Sequence, residues 1–98
     1  MECKVIWSDA AIADLKDICE YIAKDNPAAA YRLGLSLLDQ VAILANFPLI
    51  GPAYARDSGG FSREIVYRNY RIFYDVSQDR RMVEILHIWH GARREPRL

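Results

Sequence analysis

The 98-residue chain carries 13 Lys and Arg against 13 Asp and Glu, so its formal charge is zero, and 52% of it is hydrophobic. A chain of this length forms one domain, residues 1–98, burying roughly two-thirds of the surface its unfolded form exposes. That composition excludes the disordered and fibrous classes, and neutrality argues against a protein that holds nucleic acid by bulk electrostatics.

The charge is unevenly spread. Residues 1–60 hold five basic residues against eight acids, a net of −3, whereas residues 61–98 hold eight arginines against five acids, a net of +3. Arginine's planar fork suits phosphate and carboxylate, so this C-terminal part is a candidate binding surface, with a plain solvated sheet face as the competing reading. Cys3 and Cys19 have no metal-type spacing, and the first residues lack the basic segment and apolar run of an export signal. No apolar run approaches the roughly 20 residues of a membrane span. A cytoplasmic protein with reduced thiols, no membrane contact and no cofactor is expected.

In chain order, Cys3 to Trp7 is a short β-type run. Ser8 then offers an acceptor to the first free amides of a helix, and Asp9 adds favourable charge at that end. Leu15, Ile18, Cys19 and Ile22 make one apolar stripe at helical spacing, with Asp14, Asp17, Glu20 and Lys24 elsewhere on the surface. Asp25-Asn26-Pro27 ends this helix and starts the next, because proline cannot continue the first but fits the first turn of the second, with Asn26 as its cap. The second helix is expected from Pro27 to about Asn46, with Ala30, Gly34, Leu37, Leu38, Val41, Leu44 and Ala45 on its core face. Leu35 and Ile43 lie off that stripe, which predicts a helix buried on more than one side. Gly34, costing about 1 kcal/mol relative to alanine, marks a close approach by a neighbouring element.

Pro48 and Gly51-Pro52 break the helical pattern, so Asn46 to Gly60 reads as a connecting loop. Phe61 to Tyr67 alternates as a strand. Arg68-Asn69 is a tight reversal in which Asn69 is suited to a positive φ, and Tyr70 to Val76 runs back. After a second turn at Ser77 to Arg80, Met82 to Trp89 is apolar on both faces, as in a strand with neighbours on either side. An α+β domain follows: a helical hairpin packed on one face of an antiparallel sheet.

The β-αα-βββ order, Asp25-Asn26-Pro27 between the helices, Phe47-Pro48 after them, Tyr70-Arg71-Ile72-Phe73-Tyr74, and the ending His90-Gly91-Ala92-Arg93 together resemble the RelE/ParE superfamily of bacterial toxins. The resemblance spans Trp7 to Arg94. It implies a two-layer RelE/ParE-like fold and the toxin half of a type II toxin-antitoxin pair, of the kind also described as plasmid stabilisation proteins. Members of RelE type enter the ribosomal decoding site and cut mRNA; members of ParE type poison DNA gyrase and have no established catalytic residues.

Metal-free RNA cleavage needs a base for a 2′-hydroxyl, an acid for the leaving 5′-oxygen, and cations around the phosphorane-like transition state. The candidates are His90 or His87 for proton transfer, Arg71, Arg63 and Arg93 for charge, and Tyr70 or Tyr74 for orientation. Strand alternation sends His87 and His90 to opposite faces, which makes them poor as an acid-base pair or as two metal ligands. His87 shares parity with Val83, Ile85 and Trp89 and reads as a half-buried sheet histidine. The lysines of some RelE-type sites have no counterpart, since Lys24 is the last lysine. By resemblance to other family nucleases, His90 with Arg71 could imitate a histidine-arginine pair, but the terminal His-Gly-Ala-Arg is more typical of ParE-like members. The expectation is therefore a ParE-like toxin aimed at gyrase and neutralised by a cognate antitoxin. A ribosome-dependent endoribonuclease using His90 and Arg71 is the first alternative, and a non-toxic binding or co-repressor module the second. Arg63, Arg68, Arg71, Arg93 and Arg94 are the expected contacts to target or antitoxin, because exposed apolar strand faces with arginines suit an overlying peptide segment. A homodimer or a hetero-oligomer with the antitoxin fits the same surface.

Overall fold

The computed structural model describes residues 2–55 and 61–91. Its elements run β1 (Lys4–Trp7), α1 (Asp9–Ala23), α2 (Pro27–Ile43), β2 (Ala53–Ala55), β3 (Phe61–Tyr67), β4 (Tyr70–Ser77) and β5 (Met82–His90). Both helices start where the chain offers an acceptor. The Ser8 hydroxyl accepts from the Ala11 amide at 3.0 Å, and the Asn26 side chain accepts from the Ala29 amide at 3.0 Å with Pro27 in the first turn. α2 ends three residues earlier than the pattern suggested; Leu44 to Asn46 continue as turns, with amides bonded to the carbonyls of Val41, Ala42 and Ile43.

The strands form one sheet in the order β1-β5-β4-β3-β2, all antiparallel except β1 with β5, which is parallel. The expected antiparallel sheet is present as β2 to β5, and β1 joins its edge in parallel to make the whole a mixed sheet. The α1–α2 hairpin carries the chain from β1 at one edge of the sheet to β2 at the other, and the antiparallel run β2-β3-β4-β5 then returns it, so that β5 arrives parallel to β1. The expected loop from Asn46 to Gly60 also contains a strand: β2 has only three residues and gains its identity from pairing with β3.

One face of the sheet carries the core. Ile72, Tyr74, Val83, Ile85 and Ile88 are buried there against Ala11, Leu37, Val41 and Leu44. Burying a leucine such as Leu37 completely stabilises by about 2 kcal/mol. Leu38, assigned to the same stripe from the pattern, is 44% exposed, and Leu35 and Ile43, expected to be covered, are 45% and 40% exposed. The reason is rotational: adjacent helix residues point about 100° apart, so a stripe centred on Leu37 and Val41 cannot also contain Leu38. Gly34 does mark a close approach, since a β-carbon there would stand 3.3 Å from Cys19 Sγ of α1.

The register between β4 and β5 slips by one residue. Phe73 pairs with His87 but Tyr74 with Ile85, leaving Leu86 as a bulge. Parity therefore changes midway along β5: Ile85 and Ile88 both reach the core, and His87 leaves the face of Ile85 on which simple alternation had put it. Among the described residues no helix covers the other face, which carries Glu64, Val66, Arg71, Phe73, His87 and Trp89.

Candidate functional site

The β4–β5 pairing decides which candidate residues meet. Tyr70 stands opposite His90, and Arg71 opposite Trp89. Because neighbouring strand residues point to opposite faces, His90 lies on the helix side of the sheet and Arg71 on the open side. His90 sets its ring edge-on to Tyr70, centroids 5.5 Å apart, in a cleft of about 570 Å³ walled by Asp17, Ile18, Glu20, Tyr21 and Lys24 of the α1 side. Burial holds the Tyr70 hydroxyl above the ordinary phenol range. The expected His90–Arg71 pair is not brought together: the backbone of the sheet stands between the two side chains.

Arg71 is engaged on its own face. Its Nε and Nη2 donate to Glu64 Oε2 at 3.1 and 2.6 Å, and the guanidinium lies 4.9 Å from the centre of the Phe73 ring. With the two side chains only 21% and 18% exposed, this pair is screened by water far less than a surface ion pair. Arg63 points to the helix side and serves structure, with Nη1 donating to the Leu49 and Gly51 carbonyls at 3.2 and 2.6 Å. Gly51 is fixed from both sides, because its own amide donates to the Tyr74 hydroxyl at 3.0 Å. A β-carbon on Gly51 would collide with the Glu64 carbonyl and come within 2.8 Å of that hydroxyl. Arg68 sits at the β3–β4 hairpin tip with its guanidinium 5.5 Å from the Tyr67 ring centre. It is Arg68, not Asn69, that takes the positive φ, at 55°. The Tyr67 hydroxyl is held below the ordinary phenol range, first by the Ser36 side chain and further by Arg68.

Arg93 and Arg94 lie outside the described residues. The other three arginines divide between the helix side, the open face and a turn, so the single cationic surface expected from the sequence is not assembled by them. Among the described residues no three His, Cys, Asp or Glu side chains gather as metal ligands. Among the same residues no helix is long and apolar enough to cross a membrane.

One arrangement was not anticipated. β1 ends at Trp7 opposite Ile85; Ser8 then donates its amide to the Ile85 carbonyl and its hydroxyl to the Leu86 carbonyl, both at 3.0 Å, and past Leu86 no strand among the described residues pairs with this edge of β5, which α1 crosses. There Asp14 Oδ2 accepts from the Ile88 amide at 3.1 Å and stands 3.1 Å from His87 Nδ1. The carboxylate takes the place of the missing strand and turns the His87 ring, which packs 5.6 Å from Trp89 on the open face beside Arg71. The only trace in the sequence is an acid one position before Leu15 of the apolar stripe, and that reads as ordinary helix surface.

Residues 5–95 match the family model described as ParE toxin of type II toxin-antitoxin system, parDE. Toxin RelE2 of Caulobacter vibrioides is 36% identical over 91 residues, covering 92% of this chain and 97% of that protein. In the chromosomal ParDE toxin-antitoxin system of P. aeruginosa, one chain superposes with a TM-score of 0.72 at 20% identity, over 91% of this chain and 96% of that one. In the RelBE2 toxin-antitoxin complex of Mycobacterium tuberculosis the TM-score is 0.66 at 24% identity, over 92% and 99%. These two structures share the fold, two helices against a five-stranded sheet. With the family model spanning nearly its whole length, the chain belongs to the ParE toxin family and is a toxin of a type II toxin-antitoxin system.

Proposed function

We propose that this toxin acts by binding DNA gyrase rather than by cutting RNA, and that a cognate antitoxin holds it inactive in the cytoplasm. The observation that carries this reading is the separation of His90 from Arg71 across the sheet, with Arg71 already bonded to Glu64. Cleavage of a phosphodiester requires a proton acceptor and a cation within reach of one phosphate. A toxin that works by occupying its target requires only a complementary surface. The matched family's description and the ParDE and RelBE2 complexes support an antitoxin partner. Growth arrest when the antitoxin is lost, and retention of a plasmid carrying the pair, follow from the same reading.

One observation favours a second reading, ribosome-dependent mRNA cleavage. His87, oriented by Asp14, shares the open face with Arg71 and Trp89, and the Caulobacter relative is named as a RelE toxin. The two readings differ in their dependence on histidine. A chain carrying both His87→Ala and His90→Ala should still arrest growth as the parent does if binding alone is toxic. If the doubly substituted chain melts like the parent yet no longer arrests growth, the binding reading fails.

A further inference from the structure

We infer that two copies of this chain pair through the outer face of α2 as an antiparallel, two-fold helix pair. α2 carries two apolar stripes. Ala30, Leu37 and Val41 face the core. Ala28, Tyr31, Leu35, Leu38 and Ala42 recur at alternating intervals of three and four residues, the spacing of a coiled-coil seam, and all five are exposed. Tyr31 stands 70% exposed, Leu35 45% and Leu38 44%. An ordinary surface helix has one apolar stripe and a polar outer face. Here the outer seam is as regular as the inner one and is uncovered.

The charges beside the seam point to a second copy as its occupant. In an antiparallel pair each layer joins the first apolar position of the heptad on one helix to the second on the other. About a two-fold axis passing between Ser36 and Leu37, Leu35 meets the partner's Leu38 and Tyr31 meets the partner's Ala42. Leucine faces leucine and a ring faces a methyl group, so the four central positions are balanced in volume. The exposed residues immediately after Tyr31 and Leu38 are Arg32 and Asp39, on the same flank of the seam. The same axis sets Arg32 beside the partner's Asp39, and symmetry repeats the contact. A parallel pair would instead bring that flank against the side of Gly34 and Val41, which faces the domain itself and carries no charge. The sequence of α2 is thus complementary to its own reverse in both shape and charge, as an isologous interface requires. The seam spans about four helical turns, roughly 21 Å, a small contact that fits reversible association rather than an obligate dimer.

The inference is independent of whether gyrase or the ribosome is the target. Sedimentation velocity of the full chain tests it. The parent should move from 11.3 kDa toward twice that mass as concentration rises. Leu38→Asp, at an exposed position that leaves the fold intact, should weaken association by about a hundredfold or more, because pairing would bury a charge. Arg32→Asp should weaken it, and Arg32→Asp combined with Asp39→Arg should restore it. With Leu35→Cys and Leu38→Cys together, oxidation should link the two chains, whereas Leu35→Cys alone should link them poorly. A parent that stays monomeric throughout, a dimer unaffected by Leu38→Asp, or a charge swap that fails to rescue would each overturn the inference. So would a monomer whose seam is covered only by the antitoxin.

Discussion

Replacing Asp14 with alanine should destabilise the protein by about 2 kcal/mol, although the residue reads as helix surface in the sequence. One oxygen of this carboxylate accepts from the Ile88 amide at 3.1 Å and lies 3.1 Å from His87 Nδ1. A hydrogen bond to a charged acceptor contributes roughly 1.5–3 kcal/mol, and an amide left without a partner costs about 1–3 kcal/mol. Both contacts are only partly buried, and water would reach part of the exposed edge, which places the sum near the lower end. For a chain of this size 2 kcal/mol corresponds to a fall in Tm of about 10 °C. Asp14→Asn keeps an oxygen for the Ile88 amide and should recover at least half of the loss. Thermal unfolding followed by circular dichroism gives the magnitudes, and hydrogen exchange at the Ile88 amide gives the location. If Asp14→Ala melts within a degree or two of the parent, or if the Ile88 amide exchanges no faster, the carboxylate does not replace the missing strand.

Other expectations follow from the same contacts. Leu37→Asp should abolish stable folding by placing a charge in the core, while Leu38→Asp should cost less than about 1 kcal/mol in the monomer; equal losses in urea titration would contradict the assigned helix face. Gly51→Ala should cost roughly 2–4 kcal/mol, since the β-carbon meets the Glu64 backbone, and an unchanged urea midpoint would show that the loop is not clamped there. Arg68→Asn should raise stability by a few tenths to about 1 kcal/mol, because asparagine tolerates the left-handed backbone at φ 55° better than arginine, and a lower Tm would refute that. Tyr70 and Tyr74 are both held above the ordinary phenol range, first by burial. Each binds its proton more tightly folded than unfolded, so the stability they contribute is complete below about pH 10 and is lost as pH rises through the folded values. Tyr74→Phe should flatten that alkaline decline.

The local code of this chain was legible. Ser8, Asn26 and Pro27 name the helix starts, the alternation of Phe61 to Tyr67 names its strand, and Gly34 marks the point where α1 approaches α2. Features set by distant partners were not. β2 has three residues and no pattern of its own, and β1 lies beside β5 only because the hairpin carries the chain to the far edge of the sheet and the meander from β2 to β5 brings it back. The Leu86 bulge exists only in the pairing with β4, and it moved His87 away from the face of Ile85. The candidate site suffered most from this. Opposite faces for His87 and His90 followed from their spacing, but the fate of each arginine depended on neighbours far along the chain. Glu64 engages Arg71, the Leu49 and Gly51 carbonyls engage Arg63, and the hairpin tip sets Arg68 apart. Asp14 was invisible as a functional partner because the amide it caps lies 74 residues away.

Toxicity through gyrase is tested by supercoiling of relaxed plasmid by purified gyrase in the presence of this protein. Supercoiling should stop, the His87→Ala, His90→Ala double substitution should stop it equally well, and the cognate antitoxin should restore it. Unimpaired supercoiling at concentrations that arrest growth, together with mRNA cleaved on ribosomes, would contradict toxicity through gyrase.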